Sequence, residues 1–145
     1  LLLNIGPDRR GLLPEPDRSR LLAFGAEIER RFSQPVATRA DFTRDGDRYR
    51  LALEAPAELC HVVLRERIDE GQRIQRFRIK AQPYLKSRED ILVYEGGAVG
   101  HKAIATFPTL YARELTVEVR AAEGPYSLEG IEVYGPAAEA EQRCM

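Results

Sequence analysis

The spacing of hydrophobic and polar positions changes once along the chain. From Asp17 to Phe32 the apolar residues recur every three or four positions, whereas beyond Ser33 they alternate with polar residues. The first spacing is typical of an amphipathic helix and the second of half-buried strands. The pattern predicts three parts: a first unit over residues 1–34, a strand-rich domain over 35–135 and a disordered Ala- and Glu-rich tail over 136–145.

Regular alternation is clearest around Leu51, Ile79, Val117 and Ile131. Further strands are expected near residues 39–44, 59–65, 90–95 and 98–107, and glycine-containing turn signals separate them. About eight short strands, each with one polar face, predict an antiparallel β-sandwich of two sheets.

The first unit combines an apolar run with the helix. Residues 1–7 are almost wholly apolar and end at Gly6-Pro7, which is typical of a strand buried on both faces. Pro14 and Pro16 then stand where the first turn of a helix tolerates proline. The pattern predicts a strand followed by a helix, and such a strand requires parallel neighbours that this chain does not supply.

Composition narrows the possible functions. Of the 145 residues, 43% are hydrophobic and 31% are charged, with 22 Lys and Arg against 23 Asp and Glu. The resulting charge of −1 argues against nucleic acid or an anionic membrane surface as a partner. No apolar stretch approaches the roughly 20 residues that span a bilayer. The two cysteines and two histidines have no metal-site spacing, so we expect neither a metal nor a cofactor.

The opening segment, LLLNIGPDRRGLLPEPDRSRLLAFGAEI, resembles the end of the catalytic barrel in the alpha-L-fucosidases of glycoside hydrolase family 29. There, a strand ending in Asn-x-Gly-Pro leads into the final barrel helix. The matching residues are Asn4, Gly6, Pro7, Gly11, Pro14 and Glu15.

The second half is similar to the C-terminal discoidin-like sandwich of the same family. One motif is carried by Leu64, Arg65, Glu66, Ile68, Gly71, Gln72, Arg73 and Phe77. A second is carried by Gly100, His101, Lys102, Ile104, Phe107, Pro108, Ala112 and Arg113. The family usually has a Trp-containing strand pair where this chain runs from Ala81 to Ile91, and the chain contains no Trp.

The resemblance implies a mainly β protein: a jelly-roll sandwich of the galactose-binding-like type, preceded by one strand-helix unit of a (β/α)8 barrel. It also implies a parent enzyme that hydrolyses terminal alpha-L-fucosides with retention and therefore acts on fucosylated glycans. Retention needs two carboxyl groups about 5–5.5 Å apart. In the family both lie on the barrel upstream of this segment, so we expect no catalytic residue here and no activity from this chain alone.

Local alternatives to that catalytic pair are weak. Glu15 and Asp17 are close in sequence, but negative charges at this position are typical of a helix N-terminus. Cys60 alternates with Val62 and Leu64, which predicts a buried structural thiol, and His61 is expected on the opposite face.

A sugar-binding sandwich needs exposed aromatic rings and a few directed hydrogen bonds. The candidates are three tyrosines in predicted loops with two polar residues: Tyr84, Tyr111, Tyr126, His101 and Arg113.

Three functions remain open from the sequence. The chain is an accessory part of a fucosidase, an independent lectin-like module, or a purely structural or oligomer-forming domain. In the last case the apolar helix stripe, deprived of the missing catalytic barrel, packs on the sandwich or on a second copy of the chain. That stripe consists of Leu21, Phe24, Ile28 and Phe32.

Overall fold

A computed structural model describes residues 4–84 and 89–137, and their contacts divide the chain into two compact units. One unit contains the segment up to Ser33, and the other is Gln34–Pro136. The domain limits predicted from the sequence stay a prediction. Most of the tail predicted to be disordered, residues 138–145, lies outside the described residues.

The first unit contains one helix, α1 (Glu15–Phe32), which confirms the predicted amphipathic helix. The helix begins two residues earlier than its apolar pattern, because Pro16 fits the first turn, where no backbone N–H is needed. Acidic residues in its first turn and Arg30 and Arg31 in its last turn complement the helix dipole.

The apolar stripe of α1 is partly exposed: Leu21 and Phe32 are half-buried, and Phe24 and Ile28 are exposed. No residue of the helix is buried, and Phe24 and Ile28 are 45% and 43% exposed. Glu27 on the polar side accepts hydrogen bonds from Arg30 at 2.7 Å and from Arg31 at 2.6 Å. These contacts, Arg30 first, lower the pKa of Glu27 to about 2.

The strand predicted over residues 1–7 is not found where the structure describes it. Residues 4–7 belong to no strand, and residues 1–3 lie outside the described residues. The reason is physical: an apolar strand with two buried faces is stable only between neighbouring strands. No described strand of this chain pairs with residues 4–7.

The second unit is a single antiparallel sheet in the described residues. Its strands are β1 (Ala37–Thr38), β2 (Thr43–Asp45), β3 (Arg48–Glu66), β4 (Ile74–Pro83), β5 (Ile91–Gly96), β6 (Ala103–Ala122) and β7 (Leu128–Tyr134). The strand order is β1-β7-β3-β6-β4-β5, and β2 pairs with β3 beside this path.

Two long strands turn this sheet into a sandwich. β3 and β6 pair along most of their length, with register shifts after Ala52 and after Leu59. The half of β6 that contains Leu115 also pairs with β4, whereas the half of β3 that contains Val62 also pairs with β7. The bulges bend the strands, so that the two halves enclose one core. The predicted β-sandwich class is confirmed.

The core takes the inward positions of both halves. Its members include Tyr49, Leu51, Leu59, Val62, Leu64, Ile74, Phe77, Ile79, Leu115, Val117, Leu128, Ile131 and Val133. The alternation predicted around Leu51, Ile79, Val117 and Ile131 is therefore confirmed.

Three predicted strands differ in extent. The one expected over 39–44 is a 3₁₀ turn at Arg39–Asp41 followed by β2, because the side chains of Thr38 and Asp41 cap that turn. The strand expected over 98–107 begins only at Ala103, after a turn at Gly100. The strand expected over 59–65 is the second half of β3.

The described helix α1 is too polar to cross a bilayer.

Candidate functional site

Three of the five predicted site residues come together at the end of β4. Tyr84 follows β4 directly, and its backbone N–H donates to the carbonyl of Tyr111 in β6 at 2.9 Å. Their rings meet edge to face, with centroids 5.5 Å apart and planes at 88°. The Arg113 guanidinium carbon lies 5.4 Å from the Tyr84 ring centroid. We call Tyr84, Tyr111 and Arg113 the Tyr84 platform.

The position of the Tyr84 platform follows from strand alternation. Ala112 is fully buried between Tyr111 and Arg113, so these two side chains point outward together. Glu58 of β3 is paired with Tyr111 and therefore shares its face. Tyr111 lies in a strand rather than in a loop, contrary to the prediction. Glu58 had no sequence signal, because only the register of β3 on β6 places it there.

The Tyr84 platform offers a mixed apolar and polar surface. Tyr84 and Tyr111 are 47% and 45% exposed. Edge-to-face packing and the cation–π contact each contribute on the order of 0.5–1 kcal/mol, which holds the rings in place. Aromatic surface beside a guanidinium and a carboxylate suits a sugar, which presents C–H groups and hydroxyls together.

Tyr126 lies elsewhere and is held by the β2–β3 hairpin. Its hydroxyl donates to Asp47, and the Arg44 guanidinium lies 5.2 Å from its ring centroid. Burial, and then the hydrogen bond to Asp47, raise the pKa of Tyr126 well above its usual range. The ring also lines a surface cleft of about 220 Å³ whose charged walls include Arg67 and Asp69.

His101 is separated from the Tyr84 platform. It is exposed, and it precedes β6, whose stretch from Ala103 to Tyr111 spans roughly 25 Å at about 3.3 Å per residue. Of the five predicted residues, the structure therefore joins Tyr84, Tyr111 and Arg113, and leaves His101 and Tyr126 outside the platform.

A buried carboxylate fixes the loop that carries His101. Glu66, the last residue of β3, is 1% exposed. One of its oxygens accepts from the backbone N–H groups of Arg73 (2.7 Å) and Ile74 (2.9 Å), and the other from that of Gly100 (3.2 Å). The Glu66 backbone N–H in turn donates to the Gly100 carbonyl at 3.0 Å. We call this arrangement the Glu66 anchor.

The Glu66 anchor explains why the two sandwich motifs occur together. Glu66 and Arg73 belong to the first motif and Gly100 to the second, and the carboxylate ties them into one structure. Gly100 has φ of +59°, and a Cβ there would lie 2.9 Å from Oε1 of Gln72. These motif residues organise loops, a role that a pattern match alone does not reveal.

The expected separation of Cys60 and His61 is wrong. Cys60 Sγ lies 2.9 Å from Nδ1 of His61, within hydrogen-bond distance. The reason is an irregularity after Leu59, where one residue of β3 lies opposite three residues of β6 and strict alternation is broken, so that Leu59 and Val62 both reach the core. Cys60 is 6% exposed and His61 is half-buried. The thiol is buried, as predicted.

Every described carboxyl group whose pKa is shifted is shifted downward. Arg10 lowers the pKa of Asp8, and Arg67 that of Asp69. A hydrogen bond from Arg78 lowers the pKa of Glu118 to about 2 against the opposing effect of burial. A general acid in a glycosidase needs the opposite shift. Within residues 4–84 and 89–137, no three His, Cys, Asp or Glu residues are grouped to hold a metal ion.

Comparison with solved structures places this fold among glycosidases. A protein assigned as an alpha-L-fucosidase from Bacteroides thetaiotaomicron is 29% identical over 91% of the chain, with a TM-score of 0.79. One assigned likewise from Bacteroides ovatus is 28% identical over the whole chain, with a TM-score of 0.76. A glycoside hydrolase 29 family member from an unknown rumen bacterium shares the fold over 99% of the chain, at 24% identity and a TM-score of 0.84.

These matches confirm the resemblance to the alpha-L-fucosidases of glycoside hydrolase family 29. The chain spans 25–29% of the length of these three proteins. No family model and no curated protein matches the sequence.

Proposed function

We propose that this chain is the non-catalytic C-terminal part of an alpha-L-fucosidase and that its sandwich is an accessory domain that contacts carbohydrate. The observation that carries the proposal is the match to fucosidases at 28–29% identity, over nearly all of this chain and little more than a quarter of theirs. The parent enzyme hydrolyses terminal alpha-L-fucosides with retention. Its two catalytic carboxyl groups belong to the barrel.

The first test concerns catalysis. The purified chain is incubated with an aryl alpha-L-fucoside, and release of the aryl alcohol is followed by absorbance. We expect no turnover, because the shifted carboxyl groups of the described residues are all stabilised as anions by arginines. Turnover that co-purifies with the chain would overturn the non-catalytic assignment.

The second test concerns the Tyr84 platform. Because its rings are open surface rather than a pocket, it buries little of a monosaccharide and more of an extended glycan. We expect millimolar binding of a fucosylated oligosaccharide by titration calorimetry and much weaker binding of free L-fucose. The variants Tyr84→Ala and Arg113→Ala should weaken binding by roughly tenfold.

Tyr126→Ala is the matched control, since it removes another tyrosine of the same sandwich. It should leave oligosaccharide binding unchanged while lowering the melting temperature, because Tyr126 is tied to Asp47 and Arg44. Binding lost in Tyr126→Ala but kept in Tyr84→Ala would place the sugar in the Tyr126 cleft and contradict the platform.

A lectin-like module is the second candidate, and the exposed rings of the Tyr84 platform favour it. That function requires the chain to bind free fucose or galactose as tightly as it binds the oligosaccharide. The same titrations therefore separate the two candidates. Absence of heat with millimolar monosaccharide would remove the lectin-like function.

Self-association is the third candidate, and the exposure of Phe24 and Ile28 favours it. A homo-oligomer joined by the α1 stripe should dissociate when Phe24 is replaced by Asp. Sedimentation velocity of the two proteins at equal concentration tests this. A wild-type chain that sediments as a monomer would exclude it.

A further inference from the structure

The outward face of the sandwich carries a concentration of positive charge around one buried carboxylate. Glu118 of β6 is 5% exposed. The four cations within 4.0 Å of its oxygens are Arg78 (2.7 Å), Arg120 (3.1 Å), Arg48 (3.6 Å) and Lys80 (3.9 Å). We call these five residues the Glu118 cluster.

Strand register produces the Glu118 cluster. Arg48 of β3 and Arg78 of β4 are paired with Glu118 from its two sides. Lys80 and Arg120 lie two positions further along β4 and β6, on the same face. The intervening residues point inward to the core, so the cluster rests on a packed and rigid layer.

The charges of the Glu118 cluster do not cancel. One carboxylate faces four cations, and within residues 4–84 and 89–137 none of these cations has a second ion pair. Arg48 and Arg120 are 56% and 47% exposed in their side chains. Two exposed acids, Asp45 and Glu95, are paired in register with two of these cations but form no ion pair with them among the described residues, so the excess of positive charge is confined to the cluster itself.

Guanidinium groups in this arrangement retain free donors. Each has five N–H donors in a planar fork that matches the oxygens of sulfate or carboxylate. Arg48 and Arg78 flank β6 from neighbouring strands, which places their Cα atoms roughly 10 Å apart, and their guanidinium groups converge on the two oxygens of Glu118. Glu118 contacts the charged group of each side chain, which reduces the side-chain entropy that is lost when an anion binds.

We propose that the Glu118 cluster binds an anionic polysaccharide through its sulfate or carboxylate groups. The proposal rests on the carbohydrate-directed function proposed above, and it adds the charge class of the glycan. A single-stranded nucleic acid is the competing polyanion. Nucleic-acid surfaces of that kind combine cations with aromatic rings on which bases stack, and the cluster contains no aromatic residue.

The test measures binding of the full chain to four probes by biolayer interferometry at low salt. Dextran sulfate and polygalacturonate carry only sulfate and only carboxylate, neutral dextran carries no charge, and oligo-dT is the nucleic acid. We expect binding of at least one anionic polysaccharide and none of neutral dextran. Affinity should fall roughly tenfold or more when NaCl is raised to 0.5 M, because exposed charges are screened.

The decisive variant is Arg48→Ala/Arg120→Ala, which removes the two most exposed cations of the cluster. It should weaken polysaccharide binding roughly tenfold or more, while Arg48→Lys/Arg120→Lys, which keeps the charge and loses the planar fork, should weaken it less. Arg9→Ala/Arg20→Ala removes the same charge from exposed positions outside the cluster and should change little. Melting curves followed by circular dichroism establish that each variant is folded.

Three outcomes would overturn the proposal: no binding of either anionic polysaccharide, equal binding by the Arg48→Ala/Arg120→Ala variant, or an equal affinity for oligo-dT. These failures are separable from failure of the accessory function. A neutral fucosylated oligosaccharide tests the Tyr84 platform, and its binding should be the same in the cluster variants.

Discussion

Glu66 and Glu118 are the two carboxylates that the described part of the sandwich buries, at 1% and 5% exposure, and their oxygens meet opposite kinds of partner. Glu66 accepts hydrogen bonds from three backbone N–H groups and lies in no ion pair of the described residues. Glu118 is bound by side chains, all of them cationic. The charge of Glu66 is stabilised by neutral backbone dipoles, whereas that of Glu118 is stabilised by four positive charges.

The difference separates a structural carboxylate from one that organises a surface. Backbone donors are fixed by the fold, so the Glu66 anchor joins two loops and leaves nothing free for a ligand. A carboxylate occupies only some of the N–H donors of four long cationic side chains, so the Glu118 cluster leaves donors facing solvent, chiefly those of Arg48 and Arg120. The role of a buried carboxylate therefore depends on whether its partners are backbone N–H groups or cationic side chains.

The largest expected effect comes from breaking the Glu66 anchor. Glu66→Ala leaves three backbone N–H groups without an acceptor, two of them in buried hydrogen bonds. We expect a loss of about 3–5 kcal/mol in the free energy of unfolding, measured by urea denaturation. Amide exchange at Ile74 and Gly100 should accelerate together. Glu70→Ala in the same loop is the control, since Glu70 is 89% exposed and should change stability little.

Added salt distinguishes the loss of backbone hydrogen bonds at Glu66 from the loss of ion pairs at Glu118. The Glu66 variants should not recover in 0.5 M NaCl, because the missing partners are dipoles buried away from solvent. A Glu66→Ala protein as stable as Glu70→Ala would show that the carboxylate does not anchor the loops.

The second effect is smaller and depends on pH. The pKa of Glu118 in the folded chain is about 2, below its ordinary value of 4.5, so the unfolded state binds more protons in acid. The resulting stability is complete above about pH 4.5 and is lost as pH falls toward 2, on the order of 1–3 kcal/mol. Glu118→Gln removes it, so the two proteins should differ at pH 6 and converge near pH 2.

The measurement is urea denaturation of wild type and Glu118→Gln at pH 6, 4, 3 and 2.5. Glu118→Gln should recover partly in 0.5 M NaCl, since its defect is repulsion among cations that solvent ions screen. Glu95→Gln, at an exposed position of β5 paired with Arg78, serves as the control. A constant difference at every pH would show that the ion pairs do not account for the stability of this site.

Local sequence patterns predict the individual strands and their inward faces better than they predict how the strands continue and pair with one another. Alternation around Leu51, Ile79, Val117 and Ile131 identified inward faces correctly, because a period of two reports burial directly. The continuity of β3 across Pro56 was missed, since it depends on a bulge and on pairing with β6. Such long-range register has no signature within a short window of sequence.

The candidate sites differ in the same way: residue type is readable from the sequence, but the contacts between distant residues are not. Residue type alone predicts Tyr84, Tyr111 and Arg113 as sugar-contacting residues, and strand register brings the three together. The position of Glu58 beside Tyr111 could not be predicted, because the two are far apart in sequence. For Cys60 and His61, strict alternation predicts opposite faces, whereas the register of β3 on β6 shifts at this point and the two side chains contact each other.

The smallest effect tests whether the Glu66 anchor needs a glycine in its second loop. Gly100 has φ of +59° and Gly71 has φ of +96°, so alanine at either position has a conformational cost on the order of 1 kcal/mol. Only at Gly100 does the added Cβ approach another atom, Oε1 of Gln72 at 2.9 Å, whereas nothing lies within 4 Å at Gly71. We therefore expect Gly100→Ala to lower the free energy of unfolding more than Gly71→Ala, and the excess to disappear in a Gln72→Ala background. If Gly100→Ala still destabilises the chain more than Gly71→Ala in that background, the contact with Gln72 is not the cause. The hydrogen bonds between Glu66 and Gly100 then make the turn sensitive to the substitution.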